Sequence, residues 1–222
     1  MPLLWPVMIV VGLTGGLASG KTTVARLFQQ CGAELIDADQ VARTVVQPGR
    51  AAWKDIVAAF GKEMLHDDRT LNREALAAKV FRHPRKLKLL TNIMHPRVAR
   101  EQARITKAIT KQHPDAVIIY EAALLIEANA YQRMDRVIVV TSDQRTQIAR
   151  ACERDGMSRR EALARIRGQL PMRDKKRFAD ILIDGTLPLA QLHNLVHQLY
   201  GDLLAQAQQQ THESRKHQKS RI

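Results

Sequence analysis

Apolar residues follow two rhythms along this chain. Predominantly apolar runs at 7–11, 34–36, 116–120, 136–140 and 181–183 have the length and content of strands, and the first carries no charge. Between and after them, apolar positions recur three and four residues apart, the spacing of helix faces. Segment 22–30 puts Val24, Leu27 and Phe28 on one side, and a final segment does the same with Leu189, Leu192, Leu195, Val196, Leu199 and Leu203. Strands alternating with helices predict an α/β fold, a five-stranded parallel sheet flanked by helices.

One stretch breaks the alternation. From 40 to 114 only helical patterns occur, at 51–60, 73–81, 85–94 and 96–111. A parallel strand pair needs a single crossover helix, so this span reads as an inserted helical, substrate-binding subdomain. A second helical span, 142–178, carries nine arginines between Arg145 and Arg177 and reads as a lid. The expected division is a nucleotide-binding core at 7–39, 115–141 and 179–209, the insertion at 40–114, the lid at 142–178, and a disordered basic tail at 210–222. A chain of 222 residues, 45% hydrophobic, suits one α/β unit with insertions.

The apolar start, 1–13, is interrupted by Pro2 and Pro6 and is too short to span a membrane, so no membrane partner is expected. Cys31 and Cys152 lie far apart in helical patterns without a C-x-x-C. That argues against a disulfide or zinc site and makes the cytoplasm the default compartment. The net charge of +13 admits nucleic-acid binding or recognition of small polyanions. Aromatics make up 4% of the chain and offer few platforms for bases, and the basic residues are scattered, so small polyanions are expected and nucleic acid is not.

Chemistry concentrates after the first strand. Gly15-Gly16-Leu17-Ala18-Ser19-Gly20-Lys21-Thr22 matches G-x-x-x-x-G-K-[ST], with a strand before it and a helix after it. Glycines let backbone N–H groups turn in around a polyphosphate, and the helix presents its positive end. Gly16 to Thr23 are therefore the candidate nucleotide contacts: Gly16, Leu17, Ala18, Ser19, Gly20, Lys21, Thr22 and Thr23. Lys21 would reach the β- and γ-phosphates, and the Thr22 hydroxyl would hold Mg²⁺. Carboxylates stand at the carboxyl ends of two further strands, Asp37 and Asp39 after 34–36 and Glu121 after 116–120. One Asp is assigned to capping a helix and the other to chemistry. Glu121 is either a partner of Mg²⁺ or its waters, or a charge at the head of a helix over 122–128.

Taken in order, these residues resemble the dephospho-coenzyme A kinase family, P-loop kinases that phosphorylate a ribose 3′-hydroxyl with ATP to make coenzyme A. The likeness runs through Gly12-Leu13-Thr14-Gly15-Gly16, Ile36-Asp37-Ala38-Asp39, Ala42-Arg43, Pro48-Gly49, Phe60-Gly61, Leu71-Asn72-Arg73, Val80-Phe81 and His95-Pro96. It continues in Leu124-Leu125 with Glu127, Arg154-Asp155-Gly156-Met157-Ser158, Gln169 and Ala179-Asp180. It departs at Glu121-Ala122-Ala123, which lacks a proline, and at Asp184-Gly185, where an asparagine is common. The resemblance implies ATP and Mg²⁺ as cofactors and dephospho-coenzyme A as substrate. It makes Asp39 the general base and Lys21 and Arg154 its catalytic companions, with Arg154 reaching ATP from the lid. Thr14, Asp39, Arg43 and His95 become substrate contacts. A nucleoside or nucleotide kinase, and an ATP-switched nucleic-acid binder, are the alternatives. Oligomeric state is left open.

Overall fold

The computed structural model describes residues 8–81 and 83–219; the lead-in through Val7 and the tail positions 220–222 lie outside the described residues. The chain divides into two compact units, Met1–Ile36 with Lys107–Ile222, and Asp37–Thr106. The second unit begins and ends earlier than the expected insertion, and the arginine-rich span belongs to the same unit as the sheet.

The first unit is built on a five-stranded parallel sheet: β1 Ile9–Gly15, β2 Glu34–Asp37, β3 Val117–Glu121, β4 Arg136–Thr141 and β5 Ile181–Asp184. Their order is β2-β3-β1-β4-β5. Every residue of β1 is buried, and this central strand pairs in parallel with β3 (Leu13 beside Glu121) and β4 (Gly15 beside Val140). A strand covered on both faces and both edges has no use for alternation, which is why its sequence is a continuous apolar run. The edge strand β5 instead leaves Leu182 half exposed. Aspartates start two strands: Asp135 accepts the Val10 N–H at 2.7 Å and Asp180 accepts the Val137 N–H at 2.7 Å.

Helix α1, Lys21–Gln30, buries Val24, Ala25, Leu27 and Phe28 against the sheet. Leu192, Val196, Leu203 and Ala207 of the C-terminal helix join the same core. That helix runs Leu189–Lys219, so the expected disordered tail is helical in its backbone through Lys219. The residues from 202 to 219 contain neither glycine nor proline, and a helix already fixed by packing extends at little cost through Gln, Glu, Lys and Arg. The expected helix at 122–128 is absent. A succession of turns follows β3, with Ala122 N–H held by the Leu13 carbonyl at 3.0 Å.

The second unit begins with α2, Ala38–Val45, followed by α3, Ala51–Phe60, and α4, Arg73–Phe81. Val45, Ala52, Ile56, Phe60, Met64, Leu76, Val80 and Ile93 form its core. The two helices expected at 85–94 and 96–111 are one, α5, Pro84–Gln112, with Pro96 inside it. A proline there removes an N–H and crowds the preceding turn. Beside the proline the Arg97 side chain ties the helix down, donating to the Ile93 carbonyl at 2.7 Å and pairing with Asp55.

Candidate active site

The chain turns from β1 into α1 through a loop with two left-handed residues, Ala18 at φ 50° and Gly20 at φ 99°. Gly20 caps α1 without a side-chain hydrogen bond, and the first turn of α1 holds no acidic residue. The positive end of the helix is thus open to an anion. Lys21 Nζ donates to the Gly16 carbonyl at 3.0 Å, which folds its ammonium back over the loop. Ser19 is fully buried, and its hydroxyl has no hydrogen-bond partner among the described residues. An orphaned hydroxyl in a glycine loop that opens onto a helix N-terminus fits an oxygen-rich, anionic ligand. At the mouth of α1, Thr22 Oγ1 donates to Glu121 Oε1 at 2.9 Å. This hydroxyl and carboxylate are the hard oxygen donors Mg²⁺ prefers. Among the described residues, no group of three or more His, Cys, Asp or Glu gathers as a metal site.

The wall beside the loop comes from the turn after β5. Asp184 Oδ1 accepts from the Thr186 hydroxyl at 2.7 Å and its N–H at 2.9 Å, and these bonds hold the Asp184 carboxyl below its ordinary range. Gly185 is thereby pressed on the loop: a Cβ at this position would lie 1.9 Å from the Ser19 carbonyl oxygen. Arg150 donates to the Gly185 carbonyl at 2.9 Å. A cavity of about 350 Å³ results, lined by Ala18, Gly20, Thr23, Arg150, Arg154, Gly185 and Leu187 with their neighbours. Gly185→Ala is expected to destabilise the protein by about 1–3 kcal/mol, because backbone must give way to a methyl. It should also raise the KM for ATP; thermal melts and steady-state kinetics check both.

The arginine-rich span supplies α6, Gln144–Asp155, α7, Arg159–Arg167, and α8, Met172–Lys175. Ile148, Ala151 and Ala162 from α6 and α7 pack with Ala18 of the loop. Two of its arginines, Arg150 and Arg154, line the cavity beside the cradle, and two glutamines meet the loop itself. Gln169 Oε1 accepts the Leu17 N–H at 3.0 Å, and Gln147 lies over Gly16, where a Cβ would come within 2.5 Å of its Nε2. Arg154 lines the cavity, but its guanidinium is paired at both ends with Asp155, at 2.7 and 2.8 Å. The hydrogen bonds to Asp155 raise the Arg154 guanidinium above its ordinary value.

Known proteins resemble this chain in sequence and in fold. The dephospho-CoA kinase family profile matches residues 9–191, most of the chain. The chain belongs to the dephospho-CoA kinase family. A relative named dephospho-CoA kinase from Geobacter metallireducens is 48% identical over 178 residues, covering 80% of this chain and 88% of the relative. Another of that name, from Halalkalibacterium halodurans, is 40% identical over 181 residues, covering 81% of this chain and 90% of its own. Among solved structures, Thermus thermophilus TT1252 has a TM-score of 0.75 at 30% identity, covering 88% of this chain and 97% of that one. A Campylobacter jejuni dephospho-CoA kinase has a TM-score of 0.66 at 22% identity, covering 89% and 98%, and supports the fold.

In this kinase the remaining expected residues fall as follows. Asp37 is the cap of α2, accepting the N–H groups of Asp39 and Gln40 at 2.8 and 3.1 Å. Asp39 is thereby left exposed in the first turn. Arg43 is exposed in the last turn of the same helix, and Arg73 joins these two. Burial lowers the Arg73 guanidinium below its ordinary value, the Arg43 charge adds to this, and Asp39 opposes it. His95 is exposed on α5. Thr14 is fully buried, with its hydroxyl donating to the Ala123 carbonyl at 3.3 Å, so the side chain ties β1 to the following turn. The missing proline at position 123 changes little here, because the group in use is a carbonyl that proline and alanine share.

Proposed function

We propose that the kinase transfers the γ-phosphoryl of ATP in line to the ribose 3′-hydroxyl of dephospho-coenzyme A, with Lys21 on the donor side and Asp39 on the acceptor side. The observation that carries the donor side is the α1 N-terminus: without a side-chain cap, free of acid in its first turn, and adjoining the loop that holds the unpartnered Ser19 hydroxyl. Backbone N–H groups of the 16–23 loop cradle the phosphates, apart from those of Leu17 and Ser19, which the protein itself engages. Lys21 neutralises the charge that develops on the transferring group, where a loose transition state needs it most. Thr22 and Glu121 would hold Mg²⁺, directly or through water, and the bound ion supplies positive charge to the phosphate oxygens.

On the acceptor side Asp39 accepts the proton of the 3′-hydroxyl as the new O–P bond forms and the bond to the ADP oxygen breaks. Its freedom for that task follows from Asp37 having taken the capping role. Arg43, His95 and the rest of the 37–106 unit contact dephospho-coenzyme A. Arg154 reaches ATP once released from Asp155, and the α6 and α7 part of the 142–178 span closes over the donor. The compartment is the cytoplasm; no helix among the described residues is long and apolar enough to cross a membrane. Nucleic acid has no part in this reaction.

A turnover assay with Mg-ATP tests the reading. One ADP should appear per dephospho-coenzyme A consumed. ATP hydrolysis driven by a nucleoside, with dephospho-coenzyme A ignored, would transfer the chain to the nucleoside kinases.

A further inference from the structure

The loop peptide between Gly16 and Leu17 is bonded at both its polar ends. Its carbonyl, on Gly16, accepts Lys21 Nζ at 3.0 Å and the Ser19 N–H at 3.3 Å. Its N–H, on Leu17, donates to Gln169 Oε1 at 3.0 Å. A peptide group is planar, so rotating the N–H rotates the carbonyl with it. Whatever holds the Leu17 N–H therefore also sets the direction in which Lys21 is drawn.

Gln169 is itself held by an unusual anchor. The N–H of the next residue, Leu170, donates to Glu127 Oε1 at 2.9 Å. Glu127 pairs at 2.9 Å with Lys175, whose side chain is only 1% exposed and which also donates to the Ala123 carbonyl at 3.1 Å. Burial pushes the Glu127 carboxyl up, but the Lys175 hydrogen bond and the Leu170 N–H outweigh it and leave it below the ordinary range. A buried ammonium without its partner costs several kcal/mol, so α8 and the turn after β3 are held together at this point. The connection from α7 to α8, with Gln169 in it, therefore has little freedom to move away from the cradle.

We infer that Gln169 is a positioning residue for Lys21: through the Gly16–Leu17 peptide it presets the loop carbonyl on which the lysine rests, and so prepares the cradle for the β- and γ-phosphates of ATP. This rests on the reading of Lys21 as a phosphate ligand. The opposite role, competition with phosphate for the Leu17 N–H, uses the same contact and predicts the opposite sign.

Gln169→Met keeps the length of the side chain and removes the acceptor. Titration calorimetry with Mg-ATP, on wild type, Q169M, K21A and the double variant, forms a cycle that a purely structural role would not satisfy. Q169M is expected to weaken ATP binding about tenfold, the worth of one well-placed hydrogen bond, while its melting temperature without nucleotide stays close to wild type. In the K21A background the same substitution should change ATP binding less than twofold, because the group it positions is gone. Equal losses in both backgrounds, no loss at all, or tighter binding by Q169M would each overturn the inference. Wild-type ATP affinity in K21A alone would instead remove the underlying reading of Lys21.

Discussion

Lys21→Ala should lower kcat/KM for ATP by about 10³-fold, the largest loss expected from any single substitution in this kinase. Between Gly15 and Thr22 no other side chain carries a positive charge, so nothing in the loop replaces it. Its ammonium sits on the Gly16 carbonyl, and it is the mobile, compact cation a transferring phosphoryl group requires. Stability should barely register the change. One hydrogen bond is worth about 1 kcal/mol, which for a chain of this size moves the melting temperature by roughly 2–4 °C. Turnover at the wild-type rate in a folded K21A protein would remove the phosphate-cradle reading altogether.

The second large effect belongs to Asp39. Asp39→Asn should reduce kcat about 10²-fold and leave the KM for ATP within a few-fold of wild type. General-base catalysis contributes about 10²–10⁴-fold, and a loose phosphoryl-transfer transition state draws on the lower part of that range. Asp37 keeps its cap on α2, so the helix start survives the substitution. Only the weak attraction of a carboxylate to the helix N-terminus is lost, about 0.3–1 kcal/mol. An unaltered kcat would exclude Asp39 as the proton acceptor. A rise in the KM for ATP with kcat unchanged would assign it to donor binding instead.

These two residues were legible for different reasons. Lys21 belongs to a contiguous motif whose every position has a local backbone requirement, and β1 and α1 on either side are announced by an uncharged run and an amphipathic face. Asp39 was legible only as one of two aspartates. Both follow the same strand, and sequence alone does not say which will cap the helix; the hydrogen bonds from Asp39 and Gln40 to Asp37 do. The single helix α5 went unread because proline ordinarily ends a helix, and nothing local says that Arg97 will tie the Ile93 carbonyl and Asp55 together beside it. The turns after β3 stand where a helix was expected because Ala, Leu and Glu favour one locally, whereas tertiary contacts, Ala122 N–H to the Leu13 carbonyl among them, draw the segment onto β1.

The order of strand, glycine loop and helix, the donor chemistry and the helical insertion are written in residues adjacent in the chain. Local backbone sterics and hydrophobic spacing act over a few positions, so a sequence displays them directly. The supports of the cradle obey no such spacing. Gln169 is 152 positions from Leu17, and Lys175 is 48 from Glu127. Gly185 reads as an ordinary turn residue until the Ser19 carbonyl is found against it. A glutamine, a buried lysine and a glycine have no local signature of these roles. Only the stacking of β1, β3, β4 and β5 into one sheet brings their loops to a common edge, and there tertiary structure decides which side chains hold the phosphate loop in shape.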